Sequence, residues 1–194
     1  MELTGDKAKA WLLNFEAKIQ EHKAYLSDLD QAIGDGDHGS NMARGTEAVK
    51  VNLEKIAEPE TAEVLKQAAM ALISKVGGAS GPLYGSAFMQ MAKTAKETTD
   101  IHELIEAGLE GIKHRGKADV GDKTMVDTWA PVVEALAKDA LTNEAITQAV
   151  DATKPLKAKK GRASYVGERS IGALDPGAVS SGYLFTALVE EVLQ

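Results

Sequence analysis

The densest chemistry in the chain runs Asp28-Leu29-Asp30-Gln31-Ala32-Ile33-Gly34-Asp35-Gly36-Asp37-His38-Gly39-Ser40-Asn41. Asp35 and Asp37 are two residues apart, so an extended loop puts both carboxylates on one side. Asp30, on the preceding turn, reaches the same point. Two carboxylates ~4 Å apart repel by about 4 kcal/mol at an effective dielectric near 20, and a cation removes that penalty. Hard oxygen ligands with open positions suit Mg²⁺, which completes its shell with water and phosphate. An EF-hand is excluded because Ala32 and Ile33 stand where further oxygens and the turn glycine belong. Gly34 to Gly39 matches G-x-G-x-x-G, but a dinucleotide loop follows a strand and presents bare amides, whereas this one follows a helical pattern and carries carboxylates. The plain alternative is a solvated turn with helix caps. It needs only one or two of these residues.

Three further loops carry weaker signals. Gly77-Gly78-Ala79-Ser80-Gly81-Pro82-Leu83-Tyr84-Gly85 is expected to turn into a helix with Ser80 as its cap, where free amides and the helix dipole favour an anion. Gly161-Arg162-Ala163-Ser164-Tyr165-Val166-Gly167-Glu168-Arg169-Ser170 offers two arginines in a glycine-spaced loop, a candidate phosphate clamp. Asp175-Pro176-Gly177-Ala178 is an N-cap first and a ligand site second. Gly111-Ile112-Lys113-His114-Arg115-Gly116-Lys117-Ala118 fits G-x-x-x-x-G-K but has Ala where a P-loop needs Ser or Thr, and it closes a helix instead of following a strand. Of the four histidines, His22, His102 and His114 fall on wet helical faces. Only His38 sits among other polar groups. Lys154, Lys157, Lys159 and Lys160 read as a solvated helix end or a face for an acidic partner.

The elements that must position these loops are helical. Trp11, Leu12, Phe15 and Ile19 lead through Leu26 and Leu29 to a break at Gly34. Met42, Val49, Leu53 and Ile56 form a second helix ending near Pro59, and Thr61 is the expected N-cap of a third, ending at Gly77-Gly78. A fourth runs from about Pro82 through Phe88 and Met91, and a fifth from Asp100 through Ile112. The sixth carries Met125 to Leu136 with a bend at Pro131, the seventh runs from Thr142 through Val150, and the eighth starts with Asp175 as N-cap and Pro176 at the first helical position. Almost no strand pattern appears. Plain connections near Pro59, Asp100 and Thr142 alternate with glycine-rich ones at 34 to 39, 77 to 85, 116 to 121 and 161 to 177. In an up-and-down bundle successive connections lie at opposite ends, so most of the glycine loops gather at one end.

Composition agrees. The 194 residues have no internal repeat or low-complexity divider and are expected to form one all-α domain over 1–194. With no cysteine, a disulfide scaffold, a thiolate zinc site and a cysteine nucleophile are excluded. The N-terminus lacks a signal pattern and no stretch approaches a membrane span, so a soluble, cytoplasmic protein is expected. A net charge of −7 argues against nucleic-acid binding. Phosphate binding then needs a local neutraliser.

Taken in order, Asp30 with Gly34-Asp35-Gly36-Asp37-His38-Gly39, Gly77-Gly78-Ala79-Ser80-Gly81, Gly121-Asp122-Lys123-Thr124-Met125, Gly161-Arg162-Ala163-Ser164-Tyr165 and Asp175-Pro176-Gly177-Ala178 closely resemble the nucleotide-binding L subunit family of bacterial dihydroxyacetone kinases, across essentially the whole chain. The resemblance implies an eight-helix antiparallel up-and-down barrel with the nucleotide capping one end. It implies two Mg²⁺ held by Asp30, Asp35 and Asp37. The implied ADP contacts are His38, Ser40, Asn41, Ala79, Ser80, Gly116, Met125 (the last two on the adenine side), Arg162, Asp175 and Gly177. Stand-alone members of the family keep ADP bound and have it rephosphorylated by a phosphocarrier of the sugar phosphotransferase system, while longer members use free ATP. Because this chain starts at its first helix, the stand-alone scheme is expected, with dihydroxyacetone on a separate K subunit that also supplies the base for its hydroxyl. A transcription regulator is a further implied partner, and a homodimer an allowed assembly. The rival readings are an ATP-using kinase domain, a Mg²⁺-dependent phosphohydrolase, and a non-catalytic nucleotide-binding regulator.

Overall fold

The computed structural model describes residues 1–193, and these hold eight α-helices: α1 (Gly5–Ile33), α2 (His38–Leu53), α3 (Thr61–Lys75), α4 (Ser80–Thr94), α5 (Ile101–Gly116), α6 (Val126–Leu136), α7 (Asn143–Asp151) and α8 (Pro176–Glu191). A 3₁₀ segment, Arg162–Ser170, interrupts the long connection between α7 and α8. Each helix packs against its chain neighbours, and α8 closes onto α1, so the eight form a ring. This is the expected antiparallel barrel. Among the described residues the only extended pairing is a single bridge between Glu2 and Asp100, and no helix is long and apolar enough to cross a membrane.

Local sequence explains most boundaries. Thr4, Asp100, Thr142 and Asp175 each cap a helix by accepting a backbone N–H, which satisfies donors that have no partner inside the helix. Two boundaries differ from expectation. Thr61 is the first residue of α3 rather than its cap, because its hydroxyl is drawn away to donate to the Leu3 carbonyl (2.8 Å). Ser80 likewise opens α4, two residues before Pro82, and its hydroxyl meets His38 instead of capping. The second helix stops at Leu53, short of Ile56. Pro131 is accommodated within α6.

The core fills the barrel with Trp11, Phe15, Tyr84, Phe88, Trp129 and Phe185 among the aliphatics. Trp129 meets Phe185 edge-on at 4.9 Å, a favourable aromatic arrangement. Small residues let helices approach: a Cβ at Gly39 would stand 1.8 Å from the Lys23 carbonyl, so α1 and α2 could not pack as they do with a side chain there.

Candidate functional site

Connections one, three, five and seven, between α1 and α2, α3 and α4, α5 and α6, and α7 and α8, all open on one cavity of about 540 Å³. Twelve of the thirteen residues that the resemblance singles out line it: Asp30, Asp35, Asp37, His38, Asn41, Ala79, Ser80, Gly116, Met125, Arg162, Asp175 and Gly177. Ser40 is the exception. It is exposed, and its hydroxyl donates to the Asp37 carbonyl.

The carboxylates of Asp30, Asp35 and Asp37 converge, with one oxygen from each within 4.8 Å of the others. Asp30 lies in the last turn of α1, where the helix dipole disfavours an anion and no basic residue compensates. One of its oxygens accepts the backbone N–H groups of Asp37 (2.9 Å) and His38 (3.1 Å), which folds the loop back onto the helix end. Gly36, at φ +79°, makes that reversal. Asp37 occupies the N-cap of α2, yet its side chain makes no capping bond and its carboxylate stays available. Burial pushes the Asp30 carboxyl above the usual range. The two amides pull it down, and the neighbouring Asp35 and Asp37 push it up again. Asp35 is held by Arg162, Nη1 to Oδ2 at 2.6 Å. Three hard carboxylates at a helix C-terminus, one already paired with a cation, are a donor set that fits a divalent metal.

Beside this cluster, His38 is buried. Its ring spans Ser180 (Nε2 to Oγ, 2.9 Å) and Ser80 (Nδ1 to Oγ, 3.1 Å), and desolvation lowers its pKa to about 4, so it is neutral at pH 7. Asn41 has its oxygen taken by Arg44 (2.6 Å), which leaves the amide N–H₂ for the cavity. Asp175 also lines the cavity, and burial raises it to about 7, against the opposing pulls of the Ala178 N–H it caps and of nearby Lys123. Leu83, Ile112, Gly116, Ala118 and Met125 make the apolar part of the lining, a surface that suits a flat ring system.

The residue least visible in the sequence is Lys123. It is buried, has φ +61°, and its ammonium donates to the carbonyls of Thr153 (2.5 Å), Ala173 (2.5 Å) and Lys154 (3.4 Å). It thereby ties the end of α7 and the approach to α8 to the fifth connection, closing the neck of the excursion that carries Arg162. A lysine between Asp122 and Thr124 reads as solvated. Nothing local shows that its acceptors lie 30 and 50 residues away.

Fold and site together define an all-helical barrel protein with a polar, loop-built ligand cavity at one end. Residues 32–190 match the DAK2 domain, and the chain belongs to that family. It is 56% identical over 190 residues to the PTS-dependent dihydroxyacetone kinase, ADP-binding subunit DhaL, of Lactococcus lactis, covering 98% of this chain and 99% of that one. It is 40% identical over 204 residues to the PEP-dependent dihydroxyacetone kinase, ADP-binding subunit DhaL, of Escherichia coli, with 97% of each covered. Its fold is shared with the dihydroxyacetone kinase of C. freundii solved in complex with AMP-PNP and Mg²⁺, with a TM-score of 0.78 at 24% identity over 98% of this chain. The chain spans about a third of that kinase, 34% of its length.

Proposed function

We propose that this chain is the ADP-binding subunit of a dihydroxyacetone kinase, passing a phosphoryl group through bound ADP to dihydroxyacetone held on a separate K subunit. The observation that carries the reading is the end-to-end similarity to subunits of that description. The cavity supports it, because carboxylates, a helix N-terminus and an arginine converge on a space of nucleotide size.

Asp30, Asp35 and Asp37 would hold Mg²⁺, two ions by the family pattern, and when bound these ions neutralise phosphate oxygens and align the terminal phosphoryl group. The remaining steps belong to the protein's own residues. The N-terminus of α4, at Ala79 and Ser80, offers amides to a phosphate. Arg162, paired with Asp35 in this structure, would offer its guanidinium to a phosphate oxygen where Asp35 serves as a metal ligand. Gly116 and Met125 would face the adenine, and Asn41, Asp175 and Gly177 would complete the ADP shell; His38, with both ring nitrogens bonded to serines, would act from behind Ser80, and Ser40 is an ADP contact by the family pattern alone. Phosphoryl transfer asks mainly for positioning and charge stabilisation, which this set supplies. The base for the triose hydroxyl is assigned to the K subunit, and rephosphorylation of ADP to a phosphocarrier of the phosphotransferase system. This reading places the protein in the cytoplasm as a single domain.

Denaturing freshly purified protein and identifying the released nucleotide tests the resident cofactor. Near-stoichiometric ADP is expected. Protein that releases none, yet transfers phosphate from added ATP when mixed with a K subunit, would replace this scheme with the ATP-using one.

A further inference from the structure

The interior holds a chain of polar side chains that the phosphate site does not use directly. Trp129 Nε1 donates to Ser181 Oγ (3.0 Å), Ser181 Oγ lies 3.0 Å from the Tyr84 hydroxyl, and that hydroxyl lies 2.8 Å from Ser180 Oγ. Ser180 Oγ then faces two partners, His38 Nε2 at 2.9 Å and the Gly177 carbonyl at 3.1 Å. The far side of the His38 ring meets Ser80 at the cavity wall. Trp129, Tyr84, Ser180 and Ser181 are all fully buried, so each proton must find its partner within the chain.

The indole N–H can only donate, which fixes the direction of everything after it. Ser181 accepts from Trp129, and its own proton has Tyr84 as its one partner. Tyr84 therefore donates to Ser180. The Ser180 proton has two destinations left. If it goes to Gly177, the His38 ring carries its proton on Nε2 and donates back to Ser180, and Nδ1 accepts the proton of Ser80. If it goes to His38 Nε2, the ring carries its proton on Nδ1 and donates to Ser80, whose hydroxyl proton turns toward the cavity.

We propose that His38 is a positioning residue whose tautomer, switched at Ser180, decides whether Ser80 accepts from or donates to the ligand, and that a phosphate oxygen at Ser80 selects the Nδ1–H form. The inference rests on the phosphoryl-transfer reading. Without ligand, the Nε2–H form wins because Ser180 then makes three hydrogen bonds instead of two. A phosphate oxygen only accepts, and a hydrogen bond to a charged acceptor is about twice as strong as a neutral one, so bound nucleotide reverses the order. The ring stays neutral throughout; only the position of its proton changes. A ligand shifts such an equilibrium by its differential interaction with the two forms, and here that difference is one Ser80 hydroxyl.

Nitrogen-15 spectra of the His38 ring test this, recorded on protein stripped of nucleotide with a chelator and again with Mg·ADP restored, with binding followed separately by calorimetry. The expected result is a protonated Nε2 in the stripped protein and a protonated Nδ1 with Mg·ADP, and a loss of about tenfold or more in ADP affinity in Ser80→Ala, the size of one charge-assisted bond. Ser180→Ala, which removes the branch, should abolish the ligand-driven exchange while circular dichroism remains that of the parent. Calorimetric binding of Mg·ADP with unchanged ring assignments, or an exchange that persists in Ser180→Ala, overturns the inference and leaves the nucleotide reading standing. No binding of Mg·ADP overturns both.

Discussion

The two ends of the barrel solve opposite problems. At the closed end, connections two and four are stitched by the N-terminal segment. Leu3 N–H donates to the Thr99 carbonyl (2.8 Å), Ile101 N–H to the Met1 carbonyl (2.8 Å), and Thr61 to the Leu3 carbonyl (2.8 Å), while the Leu3 side chain is fully buried. At the open end the backbone is held in conformations that most residues avoid. Six glycines together with Lys117 and Lys123 have positive φ there, against Asp139 alone in the connections of the closed end. Several buried polar side chains, His38, Asn41, Lys123, Asp127 and Asp175, cluster around the cavity, while the closed end buries the Thr61 hydroxyl. One end is closed by apolar burial and backbone bonds. The other keeps charged and strained groups in place because they face a ligand.

Substitutions at the two ends should therefore separate binding from stability. The largest expected effect is Asp37→Asn at the open end. Losing one of three converging carboxylates should lower phosphoryl transfer at least about a hundredfold, consistent with the several kcal/mol a metal contributes. Because Asp37 makes no capping bond and removing it relieves repulsion, the melting temperature of the ligand-free variant should stay level or rise. A coupled assay with both partner subunits and a thermal melt check this; normal turnover would dismiss the metal assignment.

Leu3→Ala comes next and should do the reverse. Truncating a fully buried leucine costs about 2–5 kcal/mol, read as a fall in the urea midpoint, while ADP affinity of the folded fraction stays within about twofold. A large change in affinity would mean that the ends are coupled through the helices and that the division fails.

How much of this was legible in the sequence also follows the division. The carboxylate cluster, the cap at Asp175 and the glycine loops are local patterns, and all four loops line one cavity. The alternation of plain and glycine-rich connections was visible because an up-and-down topology converts chain order into spatial end. The closed-end stitches were not, because backbone groups of Met1 and Leu3 carry no sequence signal. Nor were Lys123 and the Trp129 to His38 chain, whose partners come from distant helices. Ser180 and Ser181 in a helix beginning Pro176-Gly177 look like ordinary small residues. Thr61 and Ser80 read locally as caps but are the first residues of their helices for the same reason, since each hydroxyl answers to a tertiary partner.

A smaller effect distinguishes two groups within the open end. Asp175 titrates near 7 in the folded protein against an ordinary value of 3.8, so the folded state holds a proton that the unfolded state releases. Stability from this group is therefore complete below about pH 4 and is lost as pH rises through about 7. His38, lowered from 6.5 to about 4, acts in the opposite sense: the unfolded state takes up the proton, and stability rises with pH between those values. Asp175→Asn keeps an N-cap acceptor and removes only the first contribution. Its melting temperature should gain on the parent steadily from pH 4 to 7 and level off above. A constant offset across that range would show that Asp175 ionises normally.

The smallest effect belongs to the closed end. The Met1 ammonium pairs with Asp100 at 2.9 Å, and the two groups shift each other, the amine upward and the carboxyl downward. Both side chains are substantially exposed, at 48% and 35%, so solvent screens the pair and its worth should not exceed about 1 kcal/mol. Asp100→Asn isolates it, because asparagine still accepts the His102 and Glu103 N–H groups that start α5. The lowered carboxyl pKa gives the pair its sign: its contribution is present above the ordinary carboxylate range and disappears as acid protonates Asp100. The variant should therefore lose a few tenths of a kcal/mol at pH 7 in a urea melt, and the loss should vanish in acid and shrink in high salt. A loss as large as that of Leu3→Ala would mean that charge, and not the buried leucine with its backbone bonds, closes this end of the barrel.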